Sequence, residues 1–530
     1  MKTFQPTRRA FVGALFAAPF ALRYTPAYGA VDAPVKRFTI VHSNDPHGHL
    51  LPFSYPDVTP NPDQDLGRWD YYVNDRTDIG GTARIATLVH QIKRKEKNVI
   101  AIDVGDIIDG TPFTFEYFGK SDYEALSLVG FDYGTFGNHD FSMTVAQFNE
   151  MRARIAYPIL LANVSHRGTG RLLEKPSEIR AWNGLRVAFF GLTTTLCRYY
   201  RATEEGFIVR DPLEVAKEIV PRLRAQADLV VLISHLGMDL DRQLAREVPG
   251  VDVIVGGHSH TRLQVGDYEA LAKPAPGCPL GTVIVQAFQY GGELGRLDFA
   301  VQQSHDGVWR VVQFAAGLIP VNDRVKEHEQ TKRVIAKYWE PIRGKYGEPI
   351  GSAAADFSEA KGHERVINHL LYDAALAGLP AIDFCIGSYF TVPPLPKGFL
   401  TRNDLLRWYG LSDTFFTYPI TGANVRRILA ELRPCPSANL RYTAKEFVHG
   451  NNKSEWRVTE ATLNGEALQD DKIYHGASNA FYTIRSIKPY VSGYQDSNRL
   501  GWDLLVNYVM KNSPIAPKPD GRMRMEPLTS

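Results

Sequence analysis

Cysteine is scarce: four residues in 530 (Cys197, Cys278, Cys385, Cys435), widely spaced and with no CxxC pair. That excludes a disulfide-dense miniature scaffold and a thiolate metal cluster. A charge excess is missing too, since 60 Lys and Arg stand against 58 Asp and Glu. Four of those bases (Lys2, Arg8, Arg9, Arg23) fall in residues 1–30, which hold no acid, so the rest of the chain carries 56 bases against 58 acids. A near-neutral body has no electrostatic footprint for a nucleic-acid polymer. After residue 30 no apolar run reaches the roughly 18 residues that a membrane-spanning helix needs. Glycine and proline, 44 and 33 residues, are too few for collagen or low-complexity disorder. What is present is a 44% apolar chain, long enough for a large core. Beyond about 250–300 residues such a core normally divides, so two domains are expected.

The N-terminus reads Thr7-Arg8-Arg9-Ala10-Phe11-Val12, then an apolar stretch to Leu22, Arg23 and small residues ending near Ala30. A charged start, a short apolar core and a small-residue exit describe a cleavable export signal. The adjacent arginines, with Thr before and Phe two positions after, resemble the twin-arginine signal. That route carries folded proteins, often with metal already loaded. The expectation is a bacterial periplasmic or secreted metalloenzyme that engages the twin-arginine machinery and has no membrane attachment after cleavage.

The first half repeats an apolar run followed by a polar motif. Phe38–Val41 leads into His42-Ser43-Asn44-Asp45-Pro46-His47-Gly48, and Val99–Ile102 into Asp103-Val104-Gly105-Asp106. Leu229–Ile233 leads into Ser234-His235, and Val251–Val255 into Gly256-Gly257-His258-Ser259-His260. Short β-branched runs bounded by glycine predict buried strands, and helical patterns at Ala83–Arg94 and Leu213–Gln226 separate them. The result is a layered α/β domain with polar residues at the carboxyl ends of strands. Residues 51–78 read as a surface insertion near the site mouth. The charged stretch Arg324–Tyr346 predicts a helix joining two domains, and from about 351 the strand–motif theme stops.

The candidate ligands, in order, are Asp45, His47, Asp106, Asn138, His235, His258 and His260. Oxygen and imidazole donors suit Mn, Zn, Fe, Co or Ni. Seven are too many for one ion and about right for two, with Asp106 the candidate bridge. Two divalent ions can hold a phosphoryl oxygen and activate water. Taken together with Gly137-Asn138-His139-Asp140 and Gly80-Gly81-Thr82-Ala83-Arg84, the ordered set resembles the calcineurin-like metallophosphoesterases. More narrowly it is similar to the periplasmic 5′-nucleotidase / UDP-sugar hydrolase family.

The resemblance implies an N-terminal four-layer αββα metallophosphoesterase domain and a C-terminal α/β 5′-nucleotidase-type domain. The boundaries are 1–30 signal, 31–323 catalytic domain, 324–350 linker helix and 351–530 substrate-binding domain. It assigns Asp45, His47, Asp106 and His260 to one metal, and Asp106, Asn138, His235 and His258 to the other. It makes Asn138 and His139 catalytic, with His139 facing the phosphate. The family pairs that histidine with an aspartate three residues later, and here Ser142 occupies the position, so a weaker orienting partner and a lowered His139 pKa are expected. The substrate loop of the second domain maps onto Ile386–Phe390 and the stretch after Glu364, which nominates Arg365, Tyr389 and Phe390 as substrate contacts. The implied reaction is attack of a metal-bound hydroxide on 5′-nucleotides or related small phosphomonoesters. Two alternatives stand beside it: a thiosulfohydrolase of sulfur oxidation, and a metal-retaining binding protein without turnover. His42, His49, His90 and His166 fall outside the motifs and read as surface or structural.

Overall fold

The computed structural model describes residues 23–24, 34–53, 78–270, 281–356, 366–388, 395, 397–448, 454–516 and 519–527. The export signal (apart from Arg23 and Tyr24), most of the 51–78 segment, and Arg365, Tyr389 and Phe390 lie outside these residues.

The N-terminal part is built on β1 (Lys36–Ser43), α1 (Thr82–Lys95), β2 (Val99–Asp103), β3 (Tyr133–Gly134), β4 (Ser177–Trp182), β5 (Leu185–Thr193) and α2 (Pro212–Arg224). It continues through β6 (Leu229–His235), α3 (Met238–Glu247), β7 (Val253–Val255), β8 (Asp267–Ala270), β9 (Gly281–Val285), β10 (Glu293–Gln303) and β11 (Trp309–Pro320). One sheet runs β11-β10-β1-β2-β3, with Arg23–Tyr24 on the β11 edge; the other runs β8-β9-β7-β6-β5-β4. Side chains alternate across a strand, and here both faces find cover. Phe38 and Ile40 of β1 meet Phe189 and Val231 of the second sheet in a shared core. Val41, pointing the other way, packs under Val89 of α1. On the far side Val230 and Leu232 pack against Val215 of α2 and Leu244 of α3. Helix, sheet, sheet and helix therefore form four layers, which is why the strands read as continuous apolar runs rather than alternating ones. The pairs β1/β2, β5/β6 and β6/β7 are parallel, so their motif-bearing carboxyl ends share one rim.

The C-terminal part holds a five-stranded sheet in the order 435–436, 384–387, 473–479, 414–421, 495–500, and a four-stranded sheet of 466–467, 454–463, 440–448 and 523–526. Its own apolar core gathers Leu371, Tyr372, Leu405, Trp408 and Leu505. The expected single linker helix is instead two helices, Glu329–Trp339 and Arg343–Gly347. Pro341 falls between them and has no N–H to continue the ladder. Ile335 of the first helix packs into the N-terminal core, whereas Ile342 and Tyr346 belong to the C-terminal core.

Candidate metal centre

Turns at the ends of β1, β2, β6 and β7 deliver the donors. Asp45, His47, Asp106 and His260 offer ligand atoms that all lie within 4.8 Å of one another, and Asp106, His235 and His258 form a second such group. Asp106 belongs to both. His47 Nε2 is 3.1 Å from His260 Nε2, and His235 Nε2 is 3.1 Å from Asp106 Oδ2. The opposite ring nitrogens are committed elsewhere: His47 Nδ1 donates to the Ile108 carbonyl at 3.1 Å and His235 Nδ1 to Val104 at 2.7 Å. Such bonds orient the rings and turn each Nε2 towards the other donors. At His235 burial, which alone would lower the pKa, is outweighed by the Asp106 charge and hydrogen bond, which raise it to about 10, so a cation there would have to displace a proton.

Asn138 is held at its amide nitrogen by the Tyr200 hydroxyl at 2.8 Å, while its Oδ1 is buried without a hydrogen-bond donor. Asp45 Oδ2 is in the same state. Buried acceptors without donors are rare in folded proteins, and two of them within the proposed ligand set fit a cation. So does the backbone. Asp45 (φ 42°), His47 (44°), Asp106 (52°), His258 (74°) and His260 (51°) all occupy the left-handed region although none is glycine. Each costs about 1 kcal/mol or more, a strain concentrated at functional sites.

The electrostatics point the same way. Burial lowers the pKa of His47 and of His258 to about 3, so these rings are neutral, the form that ligates metals. Burial raises Asp45, whereas the neighbouring His235 and His139 charges outweigh burial at Asp106 and hold it well below the usual carboxylate range.

His139 lies beside the clusters. Its backbone N–H donates to Asp106 Oδ1 at 2.8 Å, and its ring Nδ1 donates to Asp109 Oδ2 at 2.9 Å. Two expectations are thereby corrected. The orienting partner is a full carboxylate, Asp109, although position 142 carries serine. The pKa is raised to about 9, because burial, which alone would lower it, is outweighed by the Asp106 charge and the Asp109 hydrogen bond. Tyr200, which the motifs did not single out, places its hydroxyl 3.3 Å from His139 Nε2 and its ring against Phe481 of the C-terminal part, 5.3 Å between centroids. Asp140 supports the loop from below: its carboxylate accepts from the backbone N–H groups of Asp106, Ile107 and Gly137 at 3.0, 3.1 and 2.8 Å. Arg84 of the Gly-Gly motif is bidentate to Asp78 at 2.9 Å and braces the start of α1 rather than the donors. Of the four histidines outside the motifs, His42 is buried against Gly295, and His49 lies 4.2 Å from the Tyr290 ring that borders His47.

Gly137 is required by close approach. A Cβ there would lie 2.2 Å from Asp106 Oδ1 and 2.6 Å from His235 Cε1. Gly137→Ala is expected to cut bound metal at least tenfold while the melting temperature of the apoprotein falls by only a few degrees, about 1–3 kcal/mol of overpacking. Metal analysis and calorimetry on the same sample check it, and unchanged metal content refutes it.

Residues 38–262 match the calcineurin-like phosphoesterase family, and residues 349–486 match the 5′-nucleotidase C-terminal domain. The 5′-nucleotidase of Vibrio cholerae is 28% identical over 90% of this chain and 91% of its own. The trifunctional nucleotide phosphoesterase of Bacillus subtilis is 24% identical over 88% of this chain, which spans only 36% of that longer protein. Among solved structures, a 5′-nucleotidase precursor from Thermus thermophilus superposes with a TM-score of 0.71 at 22% identity, covering 93% of this chain and 99% of that one. The chain belongs to the family that joins a calcineurin-like phosphoesterase domain to a 5′-nucleotidase C-terminal domain.

Proposed function

We propose that this protein is an exported two-metal phosphomonoesterase acting on 5′-nucleotides or closely related phosphate esters. The observation that carries the reading is the pair of donor clusters sharing Asp106, with a hydrogen-bonded histidine beside them that belongs to neither. Asp45, His47, Asp106 and His260 would hold one cation, and Asp106, Asn138, His235 and His258 the other. Two divalent ions there would supply positive charge for the phosphoryl oxygens and acidify water in the cleft.

The chain's own residues do the rest. Tyr200 accepts from the Asn138 amide nitrogen, which leaves the buried carbonyl oxygen available as a ligand. Asp109 holds the His139 ring by Nδ1, and the Asp106 charge and the Asp109 bond favour its protonated form. The Nε2 proton, which faces the Tyr200 hydroxyl at 3.3 Å, can be given to an equatorial phosphoryl oxygen or to the departing ester oxygen. Nucleotides are favoured by the relatives named 5′-nucleotidase and nucleotide phosphoesterase. Residues 31–323 form the catalytic domain and 351–530 the substrate domain in this reading. In this reading the pair Arg8-Arg9 directs twin-arginine export to the periplasm or medium; among the described residues no helix is long and apolar enough to cross a membrane.

Phosphate release from p-nitrophenyl phosphate with Mn, followed by a nucleotide panel, tests the proposal. Nucleoside 5′-monophosphates are expected to exceed simple esters in kcat/KM by at least about tenfold, the gain of one or two added contacts. Equal rates on all esters remove the nucleotide assignment. Metal binding without turnover on any ester removes the enzyme assignment.

A further inference from the structure

We infer that the His139 ring is positioned from across the domain boundary, by Ser412 acting through Asp109. This rests on the reading of His139 given above. Asp109 is buried, in the left-handed backbone region (φ 73°), and uses one carboxylate oxygen for His139. Its other oxygen accepts the backbone N–H of Ser412 at 3.2 Å and the Ser412 hydroxyl at 2.5 Å. Among the described residues, every other hydrogen bond to that carboxylate comes from this one serine, 303 positions away. The Ser412 hydroxyl also meets Ser142 Oγ at 2.8 Å, so Ser142 donates to Ser412 while Ser412 donates to Asp109. The serine at the position where an aspartate was expected thus supports the carboxylate that does the orienting.

The neighbouring residue secures the opposite side of the ring. Asp413 Oδ2 accepts from Asn479 Nδ2 at 2.6 Å and from the Phe481 N–H at 3.1 Å. Phe481 packs on Tyr200, and Tyr200 packs on His139, 5.4 Å between centroids. Consecutive residues 412 and 413 therefore anchor the partners on both flanks of the imidazole. The backbones themselves touch here, because a Cβ on Gly410 would sit 2.9 Å from the Gly110 Cα. Without the Ser412 hydroxyl that buried oxygen keeps only the longer bond from the Ser412 N–H, at 3.2 Å, and the carboxylate turns to find another donor. Its grip on His139 Nδ1 then loosens although no contact near the metals has changed. Ser412 and Asp109 are positioning residues for a reaction centre they do not touch.

The test uses the full chain loaded with Mn and two substrates of different leaving-group acidity, p-nitrophenyl phosphate and glycerol phosphate. Ser412→Ala is expected to lower kcat about tenfold and Asp109→Asn about thirtyfold, with KM within twofold and metal content unchanged. A loss several-fold greater on glycerol phosphate places the ring at the departing oxygen, and equal losses on both esters place it at an equatorial oxygen; the relay requires a loss in either case. The double variant should be no slower than Asp109→Asn alone, since both act through one bond. Ser412→Thr keeps the hydroxyl and should restore most of the rate, which separates positioning from misfolding. Full kcat in Ser412→Ala, or multiplicative losses in the double variant, overturn the relay. His139→Ala run in parallel distinguishes the failures: if it is fully active, the reading of His139 is wrong; if it is slow while Ser412→Ala and Asp109→Asn are fast, only the relay is.

Discussion

Asp106→Ala is expected to yield a folded protein that retains neither cation and hydrolyses phosphate esters roughly 10³–10⁴-fold more slowly. The reason is that Asp106 serves both clusters at once. Its Oδ2 stands 3.1 Å from His235 Nε2 and 3.8 Å from His47 Nε2, while Oδ1 fixes the backbone of His139. Charge stabilisation by a metal pair supplies several kcal/mol of the barrier reduction, and at about 1.4 kcal/mol per factor of ten its loss gives that range. His258→Ala, which touches one cluster only, should spare the ion held by Asp45, His47 and His260. Metal analysis per chain, read beside phosphate release, separates the two cases. An Asp106→Ala protein that still holds two ions defeats the shared-ligand assignment. The buried framework should survive, because Asp140 binds the loop through backbone N–H groups that the substitution leaves in place.

His139→Ala carries the second large effect. Its ring joins neither donor group and is tied instead to Asp109 and Tyr200. We expect kcat to fall by about 10²–10⁴, the usual contribution of a positioned proton donor, with two ions still bound. Metal lost in proportion to activity would make His139 a support for the donors and not a participant in the chemistry. The backbone N–H to Asp106 remains in the variant, so a metal loss could not be blamed on that bond.

Much of this was legible in the residues because it is local. A strand buried on both faces needs an unbroken β-branched run, so Phe38–Val41 and Leu229–Ile233 announced themselves. A ligand at a strand end needs a turn, and the glycines beside His47, Asp106 and His258 marked one. Boundaries moved by a residue or two at α1 and α2, the usual fraying of helix ends. The linker broke in two because Pro341 lies inside a charged helical pattern whose periodicity alone suggested continuity.

The partners of His139 were not legible. Asp109 and His139 are 30 residues apart, and Asp109 and Ser412 are 303 apart. No periodicity connects such positions, and an aspartate followed by glycine is common in turns for unrelated reasons. A serine at 142 suggested a weakened histidine. Only the folded chain shows the carboxylate arriving from a different loop and the serine turned to the domain boundary.

The order and chemistry of the side chains proposed as metal ligands, and the layered sheets that carry them, were therefore determined by the sequence itself, since both follow from residue type and short-range spacing. Which groups orient the His139 imidazole was decided by tertiary structure. Hydrogen bonds form between whichever donors and acceptors packing brings within 3 Å or so, and packing two domains together is not written in any one stretch of chain.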